Sequence, residues 1–252
     1  MDDKMKEAIE FFSNEQYDEA LEIFNDFLLN DKRNAGILNN IGTCYFKKGD
    51  FNAAIDAYHN GIQADPKLNH LYKNLAEVYV ALGDIMSAIG ILQGAVEFLP
   101  EDNFLRLNLA QLYIRDSRHD IAIDELDKIL DEEPENIHAR YDLARVYYEL
   151  GVYDSASENF EAVLEKIDNN PDLFFHTGCA YEAAGNVDKA ISNYLKALNV
   201  NETYYPAYKK LGLCFMARGE NEDAIEYFED YIKFSVSDEE KEIISKVIAR
   251  LK

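Results

Sequence analysis

Alanine stands at 20, 54, 88, 122, 156, 190 and 224, always 34 residues after the one before, with no insertion. A period of that length marks stacked copies of one supersecondary unit, each of which needs a neighbour to bury its apolar face. Other positions keep the same phase. The eighth residue of each unit is small: Ala8, Gly42, Ala76, Ala110, Ala144, Gly178 and Gly212. The eleventh is aromatic: Phe11, Tyr45, Tyr79, Tyr113, Tyr147, Tyr181 and Phe215. The twenty-fourth is large: Phe24, Tyr58, Leu92, Leu126, Phe160, Tyr194 and Phe228. Gly49, Gly83, Gly151, Gly185 and Gly219 each precede an in-phase alanine by five residues, and Pro66, Pro100 and Pro134 close three of the units.

The stretch Asn39–Pro66 serves as the template. It reads as two short helices joined by Gly49-Asp50. Small residues at 8 and 20 let the two helices approach where a bulky side chain would overpack, and the large residues at 11 and 24 fill the space beside them. A glycine ends the first helix because a left-handed C-cap is free of strain only there. Proline after the second helix cannot continue it.

With these residues at this period, the chain resembles the tetratricopeptide repeat family over 1–237, as seven units: 1–34, 35–68, 69–102, 103–136, 137–170, 171–204 and 205–237. The departures concern the edges of individual helices. Lys4 and Glu7 stand where large apolar residues are usual, Arg106 and Arg140 take the fourth position of their units, and Glu15 and Ser117 replace the turn glycine. The resemblance implies an all-α fold: an α-solenoid of seven helix-turn-helix repeats wound as a right-handed superhelix with a concave groove. Residues 238–252 read as a C-terminal capping helix. Ser237 offers an N-cap, acids follow in the first turn, and Ile243, Ile244, Val247 and Leu251 recur at helical spacing.

Composition narrows the function. With 48% hydrophobic residues, a chain of 252 should fold rather than stay disordered. Its formal charge of −23 opposes phosphate backbones and anionic lipid, so neither nucleic-acid binding nor membrane insertion is expected. Cys44, Cys179 and Cys214 are too scattered for a disulfide framework or a CxxC pair, which fits a reducing compartment. No apolar run has the length of a signal peptide core or a membrane span, so a cytoplasmic location is expected. Phosphate-binding, nucleophile-elbow and zinc-protease motifs are missing. No catalytic residue and no cofactor is assigned. His138, Asp142, His176 and Cys179 could approach one another, but their spacing matches no structural zinc pattern, and no metal is expected.

Family geometry implies that positions 2, 5, 6, 9, 12 and 13 of each first helix face the groove. Seven basic and six acidic residues occupy them, so this set sums to +1 while the whole chain is −23. Asn40, Asn74 and Asn108 fall at one position of consecutive units and could hold an extended peptide by its backbone. Phe104, Leu107, Ile114, Tyr141, Tyr148 and Phe175 make units four to six aromatic and aliphatic. Anchors of this kind often dominate interface energies, although Ile114 and Tyr148 could equally serve packing between first helices. Lys47, Lys73, Arg115 and Arg145 complete the candidate peptide-binding set. The clamp with which some family members hold a C-terminal carboxylate finds no frame: Glu77 stands where Asn is needed, and His138 and Asp142 replace the last Lys and Arg. The expected function is therefore a non-catalytic scaffold or adaptor binding a peptide segment or helix of a protein partner. The alternatives are a self-assembling platform, in which copies of the chain form a homo-oligomer, and a regulatory subunit of an enzyme complex.

Overall fold

A computed structural model describes residues 2–252; Met1, the first residue of the first expected unit, lies outside the described residues, as do the side chains of Asp2 and Asn30. Among the described residues the chain is entirely helical, with fifteen helices. They gather into two compact units, one up to Glu132 and one from Glu133 on.

The first unit holds α1 (Asp2–Ser13), α2 (Tyr17–Asn30), α3 (Ala35–Lys48), α4 (Phe51–Ala64), α5 (Asn69–Ala81), α6 (Ile85–Phe98), α7 (Asn103–Arg115) and α8 (His119–Glu132). The second holds α9 (Ile137–Glu149), α10 (Tyr153–Leu164), α11 (Pro171–Ala183), α12 (Val187–Val200), α13 (Tyr205–Arg218), α14 (Asn221–Phe234) and α15 (Asp238–Leu251). Within each unit a helix packs chiefly on its neighbours in sequence. The in-phase alanines Ala20, Ala54, Ala88, Ala122, Ala156, Ala190 and Ala224 are fully buried.

The close approach expected at the eighth position takes place against the twenty-fourth residue of the same repeat. A Cβ added at Gly42 would lie 2.6 Å from the Tyr58 ring; at Gly178, 2.5 Å from Tyr194; at Gly212, 2.5 Å from Phe228. Those rings lie against the backbone of the first helix, which is why glycine occupies these three sites.

The turn between paired helices has one geometry throughout. Gly49 has φ 80° and its αL conformation ends α3, while Asp50 accepts a hydrogen bond from Ala53 N at 3.1 Å and starts α4. The amide after the αL residue donates to the carbonyl of the aromatic at position eleven, as Asp50 N does to Tyr45 O at 2.9 Å, which satisfies an orphan carbonyl. The sequence departures at Glu15 and Ser117 do not alter this turn. Both residues take positive φ, 60° and 58°, and the bonds Gln16 N to Phe11 O (2.9 Å) and Arg118 N to Tyr113 O (2.8 Å) form as elsewhere. The turn's hydrogen bonds and the packing of its flanking helices outweigh the strain of a left-handed non-glycine residue.

Arg106 and Arg140 also have a structural account. Each reaches the carbonyl six residues upstream: Arg106 Nη2 donates to Pro100 O at 2.7 Å and Arg140 Nη2 to Pro134 O at 2.8 Å. Tyr72 and Tyr208, at the same position of their repeats, donate to Pro66 O and Glu202 O, each at 3.0 Å. The fourth position thus fastens the turn between repeats, and arginine does it as tyrosine does. Lys4 and Glu7 are simply exposed. At the far end Ser237 Oγ accepts from Glu240 N at 3.3 Å, and α15 buries Ile244 and Ile248 in a cluster with Phe228 and Tyr231 of α14.

Candidate functional site

The first helices of the repeats carry the candidate residues, and each compact unit forms its own cavity among them. In the first unit a cavity of about 510 Å³ is lined by the amides of Asn34, Asn39, Asn40 and Asn74 together with Met5, Phe27, Leu68 and His70. Asn74 Nδ2 donates to Asn39 Oδ1 at 2.8 Å. The amide series read from the sequence is therefore split: Asn40 and Asn74 share the cavity, and Asn39 joins them. Asn108 instead turns its Nδ2 onto Phe104 O in its own helix at 2.6 Å. Phe104 itself is exposed and meets His70 edge-on, with ring centroids 4.8 Å apart. Leu107 is half-buried beside it in α7. Lys73 pairs with Glu77 one turn on at 2.7 Å, whereas Lys47 and Arg115 make no ion pair among the described residues.

In the second unit a cavity of about 390 Å³ opens between α9, α10 and α11, walled by Arg145, Tyr148, Glu149, Phe160, Phe175, His176 and Cys179. Three residues expected from the sequence meet here: Arg145, Tyr148 and Phe175. Tyr148 is 38% exposed, with its ring edge on Tyr153. Phe175 is half-buried, held edge-on by Tyr204 and tilted against Tyr194. Tyr141 does not line the cavity; it packs edge-on to Phe160 inside the cluster built on Ala144, Ala156 and Leu173. Phe160 was legible only as a packing residue at position twenty-four, and although 2% exposed it also lines the cavity. It lies roughly parallel to His176, which covers it.

The charges around this cavity are arranged in pairs. Arg145 lies 3.9 Å from Asp142 and 3.9 Å from Glu149, one on each side along α9. Asp142, expected on an open face, is only 5% exposed. Lys210 of α13 pairs with Glu182 at 3.0 Å, and Glu182 also accepts from the Tyr194 hydroxyl, whose oxygen lies 3.6 Å from Cys179 Sγ. Burial works to lower the Lys210 pKa, but its contacts with Glu182 outweigh that and hold it above the ordinary lysine value. Lys209 is taken up by Glu240 of α15 at 2.7 Å, and Tyr231 donates to the same carboxylate. Burial pushes the Cys179 thiol up, and it raises Cys44 and Cys214 to about 11. Thiols so perturbed are poor nucleophiles at neutral pH. Among the described residues no three His, Cys, Asp or Glu side chains converge to hold a metal ion, and no helix is long and apolar enough to cross a membrane.

Models of the tetratricopeptide repeat match residues 35–68 and 113–174, and a third, over 73–137 and 175–238, by itself matches just over half of the chain. The chain belongs to the tetratricopeptide repeat family. As a tetratricopeptide repeat protein it has solved structural counterparts at low identity, which speak for the fold. The C-terminal part of a repeat-containing protein from Cytophaga hutchinsonii superposes with a TM-score of 0.75 at 17% identity, over 95% of this chain and 98% of that one. A tetratricopeptide repeat protein from Parabacteroides merdae gives 0.64 at 20% identity, over 99% and 98%. YrrB, described as a tetratricopeptide repeat protein with an unusual peptide-binding site, gives 0.58 at 20% identity, over 73% of this chain and 95% of that one. No curated protein matches the sequence. Tetratricopeptide repeats generally mediate protein–protein interaction and typically serve as non-catalytic scaffolds.

Proposed function

We propose that this protein is a non-catalytic adaptor that binds a peptide segment or helix of a protein partner on the face formed by its first helices. In this scheme each of the seven 34-residue repeats contributes one first helix to the face of its own unit, and α15 caps the last repeat. The observation that carries the proposal is the cavity of the second unit, which partly exposed Tyr148 and Phe175 line together with the charged Arg145 and Glu149. Aromatic walls around an open, side-chain-sized space are the usual seat of an interface anchor. The amide-rich cavity of the first unit, with Asn40 and Asn74, supplies donors and acceptors suited to a partner's backbone. Lys47, Lys73, Phe104, Leu107, Asn108 and Arg115 complete the proposed contact surface on that unit, and Arg145 does so on the second. Tyr141 supports the wall from behind.

The test is to pan a random-peptide display library on the full chain and re-measure the selected peptides on Tyr148→Ala and Phe175→Ala. Loss of an anchor contact should weaken them by roughly tenfold or more. Peptides that bind both variants as tightly as the wild type would sink the proposal.

A further inference from the structure

The electrostatics of the second-unit cavity specify what kind of segment it takes. On the first-helix face from α9 to α13, the cations are Arg145, Lys209 and Lys210, and the carboxylates are Asp142, Glu149, Asp172 and Glu182. Lys210 is paired with Glu182, and Lys209 with Glu240 of α15. Arg145 is left against Asp142 and Glu149. It sits between the two at 3.9 Å from each, while Asp172 accepts from the Tyr204 hydroxyl at 2.7 Å. A carboxylate approaching Arg145 would meet Asp142 and Glu149 at the same time. The aromatic rings of Tyr148 and Phe175 favour a cation as well, and the field of a chain at −23 attracts one.

We infer that the cavity between α9, α10 and α11 receives a partner protein's segment bearing a lysine or arginine next to an apolar residue. The apolar residue and the aliphatic stem of the cation lie on Tyr148 and Phe175, and the cationic head reaches Glu149. This rests on the adaptor function proposed above and adds the partner's chemistry to it.

The experiment uses the same random-peptide library on the full chain, keeping the peptides whose binding needs Tyr148. The expected result is enrichment of lysine or arginine beside an apolar residue. A synthetic peptide of the enriched sequence should bind Glu149→Gln about threefold more weakly and Glu149→Lys about tenfold more weakly, as expected for a half-exposed pair lost or reversed. A charge-swapped peptide with glutamate in place of the cation should bind Glu149→Lys better than the wild type. Tyr148 is the more exposed wall, so its alanine variant keeps the test valid should Phe175→Ala unfold. Tyr148-dependent peptides that are acidic or uncharged would overturn this inference and leave the adaptor function standing. If no enriched peptide needs Tyr148 or Phe175, both fail. Self-association in sedimentation that Tyr148→Ala abolishes would make a second copy the occupant, and would overturn the inference too.

Discussion

Replacing Arg106 by leucine separates a tolerated oddity from a structural fastener. The sequence pattern favours leucine, because large apolar residues are usual at this position. The structure favours arginine. Arg106 is 9% exposed; Nη1 donates to Glu125 Oε2 and Nη2 to Pro100 O, both at 2.7 Å. Two hydrogen bonds to or from charged groups contribute roughly 1.5–3 kcal/mol each. Against that loss, a buried leucine gains roughly 2 kcal/mol, and relief of the unpartnered Nε gains about another 1 kcal/mol. Glu125 keeps Lys128 at 2.7 Å, which limits the damage. The net expectation is a loss of about 2 kcal/mol at pH 7. The double variant Arg106→Leu/Glu125→Leu should recover most of it, because replacing both members of a buried pair by apolar groups is often neutral.

The loss should also depend on pH. Burial pushes the Glu125 pKa up, but Lys128 and Arg106 together hold it below the ordinary glutamate value. A carboxylate with a depressed folded pKa contributes stability above its unfolded pKa, and that contribution fades as pH falls through the folded value. Part of this depression comes from Arg106, so the gap between wild type and Arg106→Leu should narrow between pH 7 and pH 3.5. Urea unfolding followed by circular dichroism at both pH values measures it. A leucine variant as stable as wild type at pH 7, or a gap of equal size at both, would refute the role given to the pair.

Three further outcomes follow from the packing. Gly212→Ala places a methyl 2.5 Å from the Phe228 ring, so it should destabilise by about 1–3 kcal/mol in the same urea assay. Gly90→Ala, where nothing lies within 4 Å, should not destabilise. Ser117→Gly relieves a left-handed residue at φ 58° and should stabilise slightly, by up to about 1 kcal/mol, whereas Gly49→Ala at φ 80° should lose about 1–2 kcal/mol; thermal denaturation compares them. Cys44 and Cys214 are buried with pKa values raised to about 11, so both should react far more slowly with a thiol reagent at pH 8 in the native protein than in urea.

The 34-residue phase determined the repeat, the turn glycines and the packing roles of positions 8, 11, 20 and 24, and the family resemblance it carries implied the all-helical fold of helix pairs. Contacts within and between adjacent helices are local in sequence, so a period in residues is a period in space. The turns at Glu15 and Ser117 needed the tertiary structure, because the packing of the flanking helices overrides the preference of one residue. So did the fourth-position arginines, whose partners are a turn carbonyl six residues upstream and, for Arg106, a carboxylate on the following helix. For the candidate site, the sequence placed Arg145, Tyr148 and Phe175 on first helices. Glu149 was already among the acidic residues expected on that face; only the structure showed that Phe160 joins them, that Tyr141 packs against the core, and that Arg145 lies between two carboxylates. Which way a side chain leans, and which charge it meets, depends on packing between helices. A repeat pattern constrains that at the small and aromatic scaffold positions and leaves it open on the binding face.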